Sequence, residues 1–83
     1  MPKVFEAEGY RGFFYSNEGS PLEPIHIHVE KGQGEAKFWM TPKIKLAESY
    51  DMKVSELSRA QKLVMKHRQE ILDSWHRHFK IQK

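Results

Sequence analysis

The residues of this chain with the clearest chemical potential are His26, His28 and Glu30, which are spaced two apart. They lie in a segment where polar and β-branched residues alternate, and this two-residue period predicts a strand with the three ionisable side chains on one face. The apolar residues between them take the opposite face and are predicted to be core. The histidine face is therefore left for solvent, a ligand or a partner.

Imidazoles and a carboxylate on one face could carry out acid–base chemistry on RNA. A ribonuclease that works without a metal needs a base for the ribose 2′-OH, an acid for the leaving oxygen, and cations for the charge that develops at phosphorus. His26, His28 or Glu30 could supply the first two, and Lys37 or Arg11 the third. The candidate catalytic set is therefore His26, His28, Glu30 and Lys37.

Other functions fit the same face. Two histidines at this spacing can bind one Zn²⁺ or a similar ion, with Glu30 or another carboxylate as the third ligand. Lys37, expected beside His28, opposes such a cation electrostatically, and neither a bound metal nor another cofactor is predicted. The face could instead be the solvent-exposed side of the sheet with no specific function, or it could dock a partner protein. The residue pattern leaves these alternatives open.

Two strand–turn–strand units are expected to position the histidine face. The first joins residues 3–7 to residues 10–16, and a long polar loop follows over residues 16–24. Its predicted register sets Glu6 opposite Arg11 and Val4 opposite Phe13. If Phe5, Ala7, Tyr10 and Phe14 face a helix, the other side of this unit continues the histidine face.

The second unit pairs residues 25–31 with residues 34–40 around Gly32-Gln33. Its predicted register sets Val29 opposite Ala36 and Ile27 opposite Phe38 on one side, and His28 opposite Lys37, His26 opposite Trp39 and Glu30 opposite Glu35 on the other. The two glutamates conflict, because like charges directly opposite are destabilising. Either the strands separate there or a cation lies between them.

Aromatic residues and cations extend this face. A surface that mixes aromatic rings, histidines and cations is typical of proteins that stack bases and hold phosphates. Arg11, Tyr15 and Trp39 are therefore candidate binding residues.

The second half of the chain reads as a connector and a helix. Residues 42–54 are predicted to form an edge strand or a short helical turn. Ser55 is then expected to cap one long amphipathic helix over residues 55–80, whose histidines are predicted at its boundary or surface. Arg68 falls within the apolar stripe, so it is expected to pair with a sheet carboxylate, to extend to solvent, or to mark a kink.

These elements predict one domain over residues 1–83, of α+β class. About four mostly antiparallel strands in two hairpins (1–41) lead through a connector (42–54) to a helix (55–80) that covers one face of the sheet. A domain of this size buries only about two-thirds of its unfolded surface, so a homodimer or a tight partner would add stability.

No cysteine occurs, which excludes disulfides and thiolate metal sites, and no segment approaches the roughly 20 apolar residues of a membrane span. A soluble, cytoplasmic protein is expected.

Charge is divided unevenly between the two halves. Residues 1–41 carry four Lys/Arg against six Asp/Glu, and residues 42–83 carry ten against five. The basic second half is compatible with a nucleic acid or an acidic partner protein.

The chain has no phosphate-binding glycine loop and no nucleophile elbow, which argues against nucleotide hydrolysis and dinucleotide binding.

Several motifs together resemble a known family. They are Met1-Pro2 with Val4-Phe5, Phe14 to Gly19, Pro24 to Lys31, Gly34 to Trp39, and a C-terminal helix that ends near Trp75. This combination closely resembles the small prokaryotic domain-of-unknown-function family DUF4160 over nearly the whole chain. His26, His28, Glu30 and Lys37 fall on its motif positions, without a role that the family assigns.

The resemblance implies a genomic setting more than an activity. Members look like companions of another small uncharacterised domain in two-gene bacterial cassettes, an arrangement that suggests toxin–antitoxin modules. The expected function is therefore a cassette protein that acts on or near RNA through the His26/His28 face. A non-catalytic protein-interaction module and a metal-binding domain are the alternatives.

Overall fold

A five-stranded sheet and two helices make up the computed structural model, which describes residues 3–15 and 23–79. The elements are β1 (Lys3–Ala7), β2 (Tyr10–Phe13), β3 (His26–Lys31), β4 (Gly34–Trp39), β5 (Lys45–Tyr50), α1 (Val54–Lys66) and α2 (Arg68–Phe79). All neighbouring strands are antiparallel and follow the order of the chain. The predicted α+β class is confirmed, but the sheet has five strands instead of about four.

The first hairpin turns at two residues with positive φ, Glu8 (55°) and Gly9 (83°). Positive φ at both turn residues suits the right-handed twist of a two-residue hairpin. Glu6 lies opposite Arg11 as predicted, but Lys3 and not Val4 lies opposite Phe13, because the register shifts between Lys3 and Phe5. Most of the predicted polar loop (residues 16–22) falls outside the described residues.

The second hairpin has the predicted register throughout. All five predicted pairs between β3 and β4 are present, from His26 opposite Trp39 to Glu30 opposite Glu35. The alternation of apolar and polar residues fixes this register, because a slip by one residue would turn every core side chain to the other face.

The connector contains the predicted edge strand and no helical turn. β5 pairs with β4, and a register shift near Phe38 places Lys37 opposite Glu48 and Phe38 opposite Leu46. Ala47 lies between these two partners as the extra residue of a β-bulge.

The predicted single helix is wrong, because His67 separates α1 from α2. Its φ and ψ are −100° and 18°, yet the His67 N–H still donates to the Leu63 carbonyl at 3.0 Å. Arg68 is exposed as the first residue of α2, so the predicted kink is the outcome observed. The predicted N-cap at Ser55 is also wrong: Lys53 holds that position, and its N–H donates to the Glu56 carboxylate at 2.9 Å.

The core lies between one face of the sheet and the two helices. Its buried members include Phe5, Tyr10, Phe14, Ile27, Val29, Ala36, Phe38 and Met40 from the sheet side and Ala60, Leu63, Val64, Ile71 and Trp75 from the helices. Gly12 is required beneath Phe5, because a Cβ there would overlap the phenyl ring. Across residues 3–15 and 23–79, no helix has the length and apolar character needed to cross a membrane.

Candidate functional site

The predicted histidine face is the side of the sheet that points away from the core, and we call it the outer face. On it β3 and β4 set His26 beside Trp39 and His28 beside Lys37. From the other side, β2 adds Phe13 opposite His28 and Arg11 opposite Glu30. The strands therefore bring the predicted residues of three segments onto one surface.

Both histidines of this face are buried, although the core residues of α1 and α2 pack against the other face of the sheet. His26 is 0% exposed and His28 is 6% exposed. Rings from three other parts of the chain surround them, and we call the group the aromatic–histidine cluster: Phe13, Tyr15, His26, His28, Trp39 and Trp75. The Tyr15 and His28 ring centroids are 4.5 Å apart, and those of Phe13 and His28 are 5.8 Å apart.

Trp75 reaches the cluster from α2 at the end of β3. β2 ends at Phe13, which lies opposite His28, so His26 has a strand neighbour on the β4 side only. The Trp75 indole occupies this end, 5.2 Å from the His26 ring, and the Trp39 ring lies 5.5 Å away on the other side. Helical spacing identified Trp75 as a core residue, but nothing local in the sequence links it to a histidine 49 positions earlier.

Glu35 joins two members of the cluster by hydrogen bonds. The Tyr15 hydroxyl donates to the Glu35 carboxylate, with 3.0 Å to each oxygen, and His28 Nδ1 donates to Glu35 Oε2 at 3.1 Å. Sequence reasoning treated Glu35 only as a charge conflict with Glu30 and missed this role. The predicted pairing of Glu30 with Glu35 could have indicated this role, because a carboxylate beside another carboxylate needs a hydrogen-bond donor or a cation.

The conflict between Glu30 and Glu35 is relieved without separating the strands. The two residues remain directly opposite. Arg11 pairs with Glu30 at 2.7 Å, while Tyr15 and His28 hold Glu35. Each carboxylate thus has its own partner. Arg11 lies on β2, on the side of Glu30 away from Glu35, so the predicted cation between the two glutamates is not observed among the described residues.

His26 is oriented by the chain immediately before β3. Its Nδ1 lies 2.9 Å from the Pro24 carbonyl oxygen and 3.8 Å from Glu23 Oε1. Because a carbonyl can only accept, Nδ1 carries the hydrogen and donates it. This nitrogen is therefore not a metal ligand in the folded arrangement.

The cations of the outer face are already matched by carboxylates. Lys37 Nζ lies 4.5 Å from the centre of the Trp39 ring and 3.9 Å from Glu23 Oε1. Lys3 pairs with Glu6 at 2.7 Å, as Arg11 does with Glu30. The aromatic part of the predicted base-stacking surface is thus in place, but its cations do not form an unmatched positive stripe.

The metal-binding alternative lacks a third ligand in this geometry. Glu30, the carboxylate predicted to complete a site with His26 and His28, pairs with Arg11. In the part of the chain that the structure describes, no group of three or more histidine or carboxylate side chains is placed to hold a metal ion.

Ion pairs at the ends of the sheet alter two carboxyl groups. A hydrogen bond from Lys3 lowers the pKa of Glu6. Arg59 of α1 reaches the β1–β2 turn and binds both carboxylate oxygens of Glu8, with Nε 2.6 Å from Oε1. This hydrogen bonding lowers the pKa of Glu8 below its ordinary value.

The helix histidines lie outside the cluster. His67 is partly buried and stacks on Phe5, with ring centroids 4.5 Å apart and nearly parallel planes, and its Nδ1 donates to Glu70 at 3.0 Å. His76 and His78 are exposed. Their predicted boundary and surface positions are confirmed.

The residue pattern matches one family over most of its length. Residues 9–76 of the 83-residue chain match the family described as "Domain of unknown function (DUF4160)". The chain belongs to DUF4160. The matched range contains the outer-face residues from Arg11 onward and ends just after Trp75, so it covers the aromatic–histidine cluster.

No curated protein and no solved structure matches the chain. The family description assigns no activity, so function must be argued from geometry and chemistry.

Proposed function

We propose that this DUF4160 protein is an interaction module that docks an acidic partner protein on the side formed by β5 and α1, which we call the β5 side. One observation carries the proposal. Within the described residues, the large apolar side chains that are well exposed are Leu46, Tyr50, Val54 and Met65. The first three lie on β5 and at the start of α1, whereas Met65 lies at the other end of that helix. Exposed apolar groups concentrated in one region are characteristic of protein–protein contact sites.

The helices leave β5 uncovered. Leu46 lies opposite the buried Phe38, on the core side of the sheet, yet it remains 37% exposed. Tyr50 is 62% exposed at the end of the strand and lies opposite Glu35, so its ring is on the outer face and the proposed partner contacts the edge strand from both faces of the sheet. An aromatic residue of this kind is a frequent energetic anchor of an interface, because its ring buries a large area at a small entropic cost.

Docking through side chains fits β5 better than the addition of a partner strand. The strand contains a β-bulge at Ala47 and a lysine at position 45. Natural sheets use both features to prevent another chain from pairing with an edge. The backbone edge is thus protected while the side chains remain accessible.

Charge on this part of the chain favours an acidic partner. Residues 43–66 contain six basic residues, Lys43, Lys45, Lys53, Arg59, Lys62 and Lys66, against Glu48, Asp51 and Glu56. Arg59 is engaged by Glu8, which leaves five basic residues against three acidic ones. Complementary charge increases association rates and selects among partners. The partner we propose is the second protein of the two-gene, toxin–antitoxin-like cassette that the family resemblance implies.

Co-expression with the product of the adjacent gene tests this proposal. We expect a stable complex in size-exclusion chromatography, and calorimetry should show at least a tenfold loss of affinity for Leu46→Ala combined with Tyr50→Ala. Gln69→Ala, an exposed change on α2, is the matched control and should bind normally. The proposal fails if the proteins do not associate, or if the double variant and the control bind equally.

A second candidate is action on RNA through the His26/His28 face. The specific observation in its favour is the contact between His28 and Glu35, because a carboxylate that fixes one imidazole nitrogen orients the ring for proton transfer. Lys37 and Trp39 border this contact. We place this candidate second because His28 is 6% exposed and because Arg11 and Lys37, which lie beside the histidines, are matched by carboxylates.

Inducible expression in bacteria separates the two candidates. Growth and total RNA integrity are followed for the wild type, for His28→Gln and for Tyr50→Ala, with circular dichroism as the check on folding. Growth arrest and RNA decay that His28→Gln abolishes and Tyr50→Ala preserves would support the RNA candidate. If expression of the wild type affected neither growth nor RNA integrity, this chain would not be toxic by itself.

A further inference from the structure

We propose that a pocket between β1 and α2 binds the phosphate group of a small phosphomonoester. The pocket has a volume of about 270 Å³ and is separate from the residues of the β5 side. β1 contributes Lys3 and Val4, α2 contributes Ser74, Arg77 and His78, and Phe14 completes the lining. The docking proposal uses none of these residues, and Lys3 is the residue that the pocket shares with the ion pairs of the outer face.

The lining has the chemistry of an anion site. Among the described residues, the lining contributes an ammonium, a guanidinium, an imidazole and a hydroxyl, and the Glu6 carboxylate approaches it only as the partner of Lys3 Nζ, at 2.7 Å. Arg77 can donate two parallel hydrogen bonds to phosphate oxygens, and Lys3 can add a point charge from the opposite wall. A phosphate dianion matches two cations on facing elements better than a singly charged carboxylate would.

The polar groups on α2 are held in position. Arg77 Nη2 donates to Ser74 Oγ at 3.1 Å. The His78 ring lies 4.5 Å from the Phe79 ring and 6.3 Å from that of Phe14. Phe14 is fully buried and forms an apolar floor. A ligand would therefore meet a wall whose donors are already partly ordered, which lowers the entropic cost of binding.

Nearby negative charge is directed elsewhere or remains solvated. On α2, Glu70 accepts from His67 and Asp73 accepts from Gln69, each at 3.0 Å and each towards the N-terminal end of the helix. Glu6 pairs with Lys3, but both side chains are more than half exposed, so water weakens that pair. The C-terminal end of α2 adds only about half a negative charge, less than Lys3 and Arg77 supply together.

The volume selects small ligands. Pockets for drug-sized molecules have volumes of about 300–1,000 Å³, so this pocket accommodates a phosphate with one attached ring, and any further group must extend into solvent. A sugar phosphate and a nucleoside monophosphate share this chemistry and differ in the group beyond the sugar.

Titration of the full-length protein by amide NMR tests the site. The probes are inorganic phosphate, ribose 5-phosphate and a nucleoside 5′-monophosphate, each at matched ionic strength, with ribose as the probe that lacks phosphate. We expect saturable shifts at Val4, Ser74 and His78 with the phosphate-bearing probes and none with ribose. Tighter binding of ribose 5-phosphate than of inorganic phosphate would identify a sugar contribution, and a further gain with the nucleotide would identify a base contribution.

Two arginines on the same helix provide the matched variants. Arg77→Gln should weaken binding of the phosphate-bearing probes at least tenfold, whereas Arg68→Gln, equally exposed and outside the pocket, should leave it unchanged. Both side chains are on the surface, so both variants should keep the wild-type circular dichroism spectrum. Shifts that do not saturate, a response to ribose alone, or equal loss in both variants would overturn the proposal. Tyr50→Ala should bind phosphate normally, which keeps this result independent of the docking test.

Discussion

In the aromatic–histidine cluster polar side chains are buried, whereas on the β5 side apolar side chains are exposed. In the cluster, two ionisable imidazoles are buried. On the β5 side, Leu46 and Tyr50 are exposed although they are among the less polar residues of their strand. Position in the sheet explains the difference, since β3 has strand neighbours on both sides and receives Trp75 from α2, whereas β5 is an edge strand with one neighbour.

The comparison indicates where stability has not been maximised. Burying a polar group is unfavourable unless it is hydrogen-bonded, and the bonds to Glu35 and to the Pro24 carbonyl meet that requirement at Nδ1 of His28 and of His26. Leaving a large apolar side chain exposed forgoes part of the roughly 1.5–3 kcal/mol that full burial would contribute. The β5 side is therefore the region where apolar side chains contribute least of their possible burial to the stability of the fold.

The largest expected difference between the two regions is in the free energy of unfolding. Trp75→Ala should lower it by about 3–5 kcal/mol, because a 1% exposed indole that packs on Phe14 and His26 is replaced by a cavity. Tyr50→Ala should change it by no more than about 0.5 kcal/mol. Urea unfolding followed by circular dichroism measures both, and similar losses would show that the β5 side is packed more tightly than the structure indicates.

A smaller effect concerns the hydrogen bonds within the cluster. Tyr15→Phe removes the donor to Glu35 and should cost about 0.5–1.5 kcal/mol. Tyr50→Phe removes a hydroxyl from an exposed ring and serves as the control, with no measurable change expected. If urea unfolding gave equal values for the two variants, the Tyr15 hydroxyl would contribute nothing to the cluster.

The smallest effect lies at the first turn, where Arg59 ties α1 to Glu8. Because the guanidinium lowers the folded-state pKa of Glu8, the contact adds stability above the ordinary carboxyl pKa, and this contribution is lost as the pH falls through the lower folded value. Carbon-detected NMR titration of the Glu8 carboxyl should give a pKa below that of an unperturbed glutamate.

Arg59→Gln is the test variant for this contact. It should return the pKa of Glu8 towards the ordinary value and leave that of Glu6, whose partner is Lys3, unchanged. An unchanged Glu8 pKa in Arg59→Gln would contradict the assignment of the shift to this contact.

Hairpin pairing was largely predictable from local patterns. The alternation from Ile25 to Met40 fixed the β3–β4 register, because any other register would expose the core face. The shift near Val4 was not predictable, since a bulge leaves no mark on the alternation of so short a strand. The break at His67 was missed as a boundary, although the polar Arg68 within the apolar stripe had indicated an irregularity there.

The sequence by itself determined which side chains share the outer face, because successive residues of a strand point to opposite sides. It therefore placed the predicted catalytic and binding residues together, from Arg11 to Trp39. Only the tertiary structure decided which of them are buried and which partner each charge takes. Burial depends in part on Trp75, and the pairing of Glu8 depends on Arg59; both residues come from helices far along the chain. Which basic or donor group pairs with Glu23, Glu30 or Glu35 depends on the distances between the side chains in the folded protein.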